Sequence, residues 1–357
     1  MLLIARYALL SMLVVFCVSA QAKNNILGPP DSDGPVVVDI GFYLSNVNFI
    51  SEADETFHFE GVLSMHWKDP RLAFDPAVTG YDDLYYQGYY QFNEVFTGWW
   101  PQIFLANEAG GFEQQGIVLR ITPDGNVYYT EEIEAVAKSH FNLARYPFDR
   151  QQLAAIFEVL GFESEEVVLR VDPASSGLWD DGQHRVQIPQ WYSPELSSSV
   201  VTYGPSYLDG RDGRDGHVSA FRVQIDVERD PRYTLRLVGF PVIIFVILSW
   251  SVFWMDRSSV GDRMDITFMG ILTVVAYQIM FSGSLPKISH PTVLGLFMII
   301  SFVTMCASVV VNLRVWVLDS RGLFENGDRL DQRSRYLFPI VYVLSILLAG
   351  GSLYVTG

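Results

Sequence analysis

Between Val36 and Asp230 several segments alternate apolar and polar residues. "VVVDIGFYLSNVNFI" (36–50) and "ETFHFEGVLSMHW" (55–67) step with a period of two and are rich in β-branched and aromatic residues. That pattern predicts half-buried strands. "LRITPDGNVYYTEEI" (119–133) predicts a hairpin, with Pro-Asp-Gly at its turn. "EEVVLRVD" (165–172) and "SAFRVQIDVERD" (219–230) predict further strands. Short strands separated by turn signals predict an all-β, immunoglobulin-like sandwich. No helical run of note and no internal repeat interrupts it. "DGRDGRDG" (209–216) predicts a solvated loop.

After Pro231 the alternation stops, and four long apolar stretches follow at about 234–255, 263–284, 291–316 and 335–355. Each is near the roughly 20 residues that a membrane-spanning helix needs. Two of the links are short. The third, 317–334, is longer and polar with charges of both signs. The first 22 residues carry Arg6, a short apolar core and Ala20-Gln21-Ala22, the pattern of a secretory signal, with a short membrane anchor as the alternative. The expected division is a signal at 1–22, an exported β-domain at 23–230 and a four-helix membrane domain at 231–357. Export puts the 256–263 turn and the third link in the cytoplasm. Arg314, Arg321, Arg329, Arg333 and Arg335 around that link agree with the positive-inside tendency.

Charge sharpens the picture. Residues 23–230 hold 33 Asp and Glu against 13 Lys and Arg. Such a surface argues against nucleic acid, whose phosphates need cations, and attracts inorganic cations, protons and divalent metals. Among His58, His66, His140, His184 and His217, none has metal-ligand spacing with another. No metal site and no cofactor is expected. The exported part has no cysteine, so its stability must come from a core.

The second apolar stretch, "RMDITFMGILTVVAYQIMF" (263–281), contains an aspartate. Intramembrane ionisable groups usually face water or a partner. Helical steps from Asp265 give Met269, Leu272, Ala276, Ile279 and Gly283 on one stripe, polar at the cytoplasmic end, apolar in the middle and small outside. Several copies around an axis would form carboxylate rings below an apolar constriction. Charged rings select ions, and apolar constrictions gate by dewetting. Asp262 adds a second acid at the mouth. The alternative is that Asp265 snorkels to cytoplasmic headgroups beside Asp262 and Arg263.

"HFNLARYPFDRQQL" (140–153) resembles the signature loop of the pentameric ligand-gated ion channels, the Cys-loop receptor superfamily, with the core Tyr146-Pro147-Phe148-Asp149-Arg150-Gln151. Ser139 and Leu153 stand where eukaryotic members have the flanking cysteines, as in prokaryotic members. "ERDPRY", "WSVFWMD", "LTVVAY" and "SLPK" follow in the expected order and resemble the Erwinia-type prokaryotic branch more than the Gloeobacter type. The resemblance implies five subunits around a pore lined by the second helix. It assigns Asp265, Met269, Leu272, Ala276, Ile279 and Gly283 to the pore, Leu272 and Ile279 to the gate, and Asp262 with Asp265 to cation selection. It implies coupling of the two domains through Asp149, Pro147, Arg229, an acid of the first strand loop (Asp54 or Glu55), and Pro286. These ions could equally be glue between domains.

The same resemblance puts the agonist between subunits. Trp67, Trp100, Phe104, Glu158, Leu160 and Tyr203 fall at its positions, although the tryptophans are equally explained as core. The acid expected at Phe104 and the aromatic expected at Leu160 are missing, so an amine agonist is not implied. The expected protein is a homopentamer in a bacterial inner membrane, β-domain in the periplasm, in contact with membrane lipid and opened by protons or a small molecule. No enzyme motif is found. A non-conducting membrane-anchored sensor or adhesin is the remaining alternative.

Overall fold

A computed structural model of the chain describes residues 28–32, 34–180, 186, 188–204, 216–255, 260–282 and 292–356. The segment 1–22 lies outside them. Eleven strands among the described residues form two sheets. They are β1 (Val36–Ser51), β2 (Thr56–Lys68), β3 (Leu84–Gln87), β4 (Ile103–Leu105), β5 (Glu108–Ile121), β6 (Asn126–Lys138), β7 (Arg150–Val159), β8 (Val167–Val171), β9 (Gly177–Leu178), β10 (Trp191–Tyr203) and β11 (Val218–Arg229). The larger sheet runs β3-β5-β6-β2-β1-β8, with β9 also on β1, and the smaller runs β10-β11-β7-β4.

The alternation read from the sequence decides which face is inside. Every second residue of β2 from Phe57 to Trp67 is buried, Gly61 included, and β6 alternates likewise. Phe42 and Phe59 of the large sheet meet Phe157 of the small one at ring separations of 5.6 and 6.4 Å. The predicted hairpin joins β5 to β6. Its turn closes through Gly125 N to Thr122 O at 2.9 Å. Gly125 has φ +79°, and a Cβ there would lie 2.5 Å from Asp69 O. Only glycine meets both demands. Short helical turns at Pro76–Thr79 and Gly88–Val95 are not read from the sequence; the first buries no residue and the second buries Phe92.

Among the described residues four helices follow: α1 (Pro231–Trp254, with a π turn at Leu235–Gly239), α2 (Val260–Ser282), α3 (Val293–Ser320) and α4 (Phe324–Thr356). α1, α3 and α4 are long and apolar enough to cross a membrane. α2 has 23 residues and carries Asp262, Arg263 and Asp265 near its start. At 1.5 Å per residue it is about 34 Å long, also sufficient. α3 buries Leu294, Met298, Ser301, Met305, Ser308, Asn312 and Val315, a seam with helical spacing. Its small and hydroxylated members allow close approach, as in Ser249 to Ser308 at 3.4 Å.

The third link is the main correction to the expected helix bounds. Instead of a polar loop over 317–334, α3 runs to Ser320 and α4 begins at Phe324. Gly322, at φ +75°, makes the turn between them. The polar residues beyond it are helical. Glu325 and Arg329 pair one turn apart at 3.6 Å, and the buried Asp331 pairs with Arg263 of α2.

Candidate functional site

At the junction of sandwich and helices, β11 ends in Arg229. Its guanidinium is buried and meets Asp149 Oδ1 through Nε at 2.8 Å and Glu52 Oε1 through Nη1 at 2.6 Å. It also lies 4.1 Å from the Trp191 ring centroid and 4.7 Å from that of Tyr146. Burial works against its charge, but Asp149 and then Glu52 more than offset this, and its pKa is raised. Asp149 takes a further hydrogen bond from Gln151 Nε2 at 2.6 Å. The loop from 140 to 149, with Pro147 after Tyr146, therefore rests against the end of the last strand.

The Arg229–Asp149 pair is where the sequence placed it. The third member is not. Asp54 bonds Ser51 Oγ at 2.8 Å, and Glu55 meets His140 at 3.2 Å. Glu52, the first residue after β1, reaches Arg229, whereas Asp54 and Glu55 lie farther round the loop, where Glu55 takes φ +56°. Glu52 was legible only as one more acid in "SEADE".

The same loop is bonded to the membrane domain. Val293 N donates to Ala144 O and Leu294 N to Tyr146 O, both at 3.1 Å. These are the first amides of α3, which lack partners within their own helix. Tyr146 Oη lies 3.4 Å from Thr234 Oγ1 of α1. Nothing in the sequence pattern pointed to α3 as the receiving element. Pro286 lies outside the described residues.

On α2, Asp265, Met269, Leu272, Ala276 and Ile279 are all exposed, with Asp262 below them. Met269, Leu272 and Ile279 are 65, 71 and 68% exposed. Their partners on the opposite face, Arg263, Thr267, Gly270 and Val274, are buried. A Cβ on Gly270 would lie 2.9 Å from Met305 Sδ, so the glycine sets how closely α2 approaches α3. Thus, among the described residues, the stripe lies on the side of α2 that its own bundle leaves uncovered, flanked there by Phe268 and Met280. Gly283 lies outside the described residues.

The agonist candidates divide. Trp67 is buried in the core and packs edge-on against Trp99 at 6.1 Å. Trp100 stacks inward on Tyr129 at 5.9 Å and meets Phe92 at 4.9 Å. Trp67 serves the core because its position on the alternating β2 faces inward, whereas Trp100, outside any strand, is part-buried and packs against that core through its aromatic neighbours. Phe104 on β4 pairs across to Glu158 on β7, which pairs in turn with Ala220 on β11. Glu158 is buried, and desolvation raises its carboxyl pKa. Leu160 and Tyr203 are exposed beside these strands.

One buried group escaped the sequence reading. Glu131 on β6 is 1% exposed and accepts from Tyr129 Oη at 2.8 Å. Burial pushes its carboxyl up to about 7, partly opposed by hydrogen bonds from Tyr129 and Gln114. The signal was present: consecutive acids, Glu131 and Glu132, on a period-two strand must put one of them inside.

The model of the neurotransmitter-gated ion-channel ligand binding domain matches residues 21–229, and that of the neurotransmitter-gated ion-channel transmembrane region matches 238–326. Among curated relatives, a proton-gated ion channel of Gloeobacter violaceus is 27% identical over 324 residues, 90% of this chain and 84% of that protein. The gamma-aminobutyric acid receptor subunit rho-3 of Rattus norvegicus is 25% identical over 286 residues, 79% of this chain and 58% of that protein. A glutamate-gated chloride channel of Drosophila melanogaster is 25% identical over 277 residues, 76% and 56% of the two lengths. The chain thus spans under two thirds of these animal receptors. With a β-sandwich joined to a helical membrane region and both family domains matched in order, this chain is a multi-pass membrane protein belonging to the pentameric neurotransmitter-gated ion-channel family.

Proposed function

We propose that the chain assembles as a homopentameric, cation-preferring channel of a bacterial inner membrane, with its β-domain in the periplasm. The observation that carries this reading is the uncovered stripe of α2. Five copies facing an axis bury what one subunit exposes. They put Asp262 and Asp265 at the cytoplasmic mouth, Leu272 mid-pore and Ile279 above it. Relatives include a chloride channel, so charge preference must come from this chain's own residues. Two carboxylates per subunit at one mouth favour cations.

Gating is by protons or by a small molecule bound to the β-domain. The acidic surface and the buried Glu131 and Glu158 support protons. Phe104, Glu158, Leu160 and Tyr203 remain the candidates for a small agonist, without Trp67 and Trp100. Movement in the β-domain would reach the pore through Arg229, Asp149 and Glu52, and through the loop 140–149 to α3.

The test is voltage clamp of oocytes expressing the chain, with external pH stepped and reversal potentials read in a potassium chloride gradient. A pH-dependent, cation-selective current supports the reading. Reversal at the chloride potential, unaltered by neutralising Asp262 and Asp265, sinks the assignment of selectivity. If Leu272→Ala passes no current at any pH, the channel reading itself fails.

A further inference from the structure

Arg263 stands between the two mouth acids in the sequence, in Asp262-Arg263-Met264-Asp265. A guanidinium free at the mouth would cancel half of their charge in every subunit. The structure sorts these charges onto different faces of α2. Asp262 and Asp265 are exposed, whereas Arg263 is 2% exposed. Its Nη2 meets Asp331 Oδ2 of α4 at 3.0 Å and Met255 O, just beyond α1, at 3.3 Å. Asp331 is itself buried. Arg335, one turn along α4, is engaged elsewhere, donating through Nε to Phe253 O at 2.9 Å with its guanidinium over the Trp254 ring.

α4 contributes nothing to the exposed stripe. It packs mainly on α3 and is the most exposed of the three long apolar helices. A carboxylate reaching from it to the base of α2 therefore acts on the mouth from behind. An arginine deprived of its partner in a dry site is strongly disfavoured there. It moves to water, and the nearest open side of α2 carries Asp262 and Asp265.

We infer that Asp331 is a selectivity-determining residue that works by position: it holds and neutralises Arg263 behind α2, leaving the acids of the mouth unopposed. The inference rests on the cation-preferring reading above. A change of about one kT in the potential at the mouth changes the cation-to-anion permeability ratio about sevenfold, because the two ions respond with opposite sign.

Reversal potentials in a potassium chloride gradient, with surface expression measured in parallel, compare wild type, Asp331→Asn, and Asp331→Asn combined with Arg263→Gln. The single variant is expected to lower the cation-to-anion ratio severalfold. The double variant, with no cation to release, is expected to return it to the wild-type value. A purely structural role would alter expression or gating and leave the ratio alone. An unchanged ratio in Asp331→Asn, or a double variant as altered as the single one, overturns the inference. If Asp331→Asn alone does not reach the surface, its co-expression with wild-type subunits supplies mixed pentamers, in which the ratio must fall as the variant share rises. A wild-type channel without cation preference overturns the functional reading, while the difference between wild type and variant still decides the role of Asp331.

Discussion

Tyr129 Oη donates to Glu131 at 2.8 Å on the inward face of β6, so a carboxyl with a pKa near 7 lies inside the sandwich. Its ordinary value is 4.5. The folded state therefore holds this proton more tightly than the unfolded state does. The stabilisation is complete below about pH 4.5 and is lost as pH rises through about 7. A separation of about 2.5 units corresponds to about 3 kcal/mol. Glu131→Gln keeps the shape and removes the titration. The melting temperature of the detergent-solubilised channel should fall between pH 5 and 8 in the wild type more than in Glu131→Gln. The variant should be the more stable of the two at pH 8. Parallel profiles would mean that Glu131 is ionised throughout. If Glu131 also takes part in gating, the same variant flattens the pH dependence of the current.

Arg229 is held by Asp149 and Glu52, while Asp54 bonds only within its own loop in the described contacts. Removing one partner of a buried charge costs about 3–5 kcal/mol when the charge stays dry. Asp149→Asn, with its carboxylate almost fully buried, should impair assembly or gating most. Glu52→Gln, more exposed, should shift the activation midpoint by a smaller amount. Asp54→Asn should stay within about twofold of wild type. The three midpoints, read from activation curves in oocytes, rank the residues. A larger effect from Asp54 than from Glu52 would contradict the geometry.

In the proposed pentamer the 71% exposed Leu272 becomes one member of an apolar ring. Replacing leucine by serine removes about 2 kcal/mol of apolar character per side chain and eases wetting of a closed pore. Leu272→Ser should move the activation midpoint toward weaker stimulus by at least about tenfold, equivalent to about 1.4 kcal/mol. It should also raise the current seen without stimulus. The same substitution at Phe268, exposed beside the stripe but off it, should do neither.

Those features follow from periodicity, which is why the sandwich, the four helices and the α2 stripe could be read from the chain. Period two separates the two faces of β2 and β6, and steps of three and four isolate Asp265, Met269, Leu272, Ala276 and Ile279. Periodicity reports which face a residue occupies, not which neighbour it meets there. It therefore gave no basis for choosing Glu52 over Asp54, since both sit in one acidic turn and only chain direction separates them. It also could not weigh Trp67 as core against Trp67 as ligand contact, because the same aromatic suits either. The link after α3 was misread for a different reason. Charged residues in 324–334 look like a loop when membrane length is the only criterion, yet Arg329 pairs along the helix and Asp331 pairs across to α2. Glu131 was overlooked because an acid on a strand is ordinarily assigned to the solvent face.

The hydrogen bonds from Val293 N to Ala144 O and Leu294 N to Tyr146 O tie the 140–149 loop to α3, and one of them can be removed alone. Val293 is the first helical residue after the N-cap Thr292, whose side chain accepts from Gly295 N at 2.9 Å. Proline is favoured at that position, because no helical hydrogen bond is lost. Thr292 has φ −88° and ψ 163°, the extended conformation that a residue before proline adopts. Val293→Pro should therefore leave α3 and its cap intact while deleting the donor to Ala144. One such bond is worth about 1 kcal/mol, and five subunits lose it together. If the loop transmits gating to α3, the activation midpoint should shift about tenfold or more toward stronger stimulus, with surface expression and melting temperature near those of wild type. Val293→Ala, which keeps the amide, should leave the midpoint close to wild type. A shift equal in both variants would trace the effect to the lost valine side chain, and no shift in either would remove this bond from the coupling route.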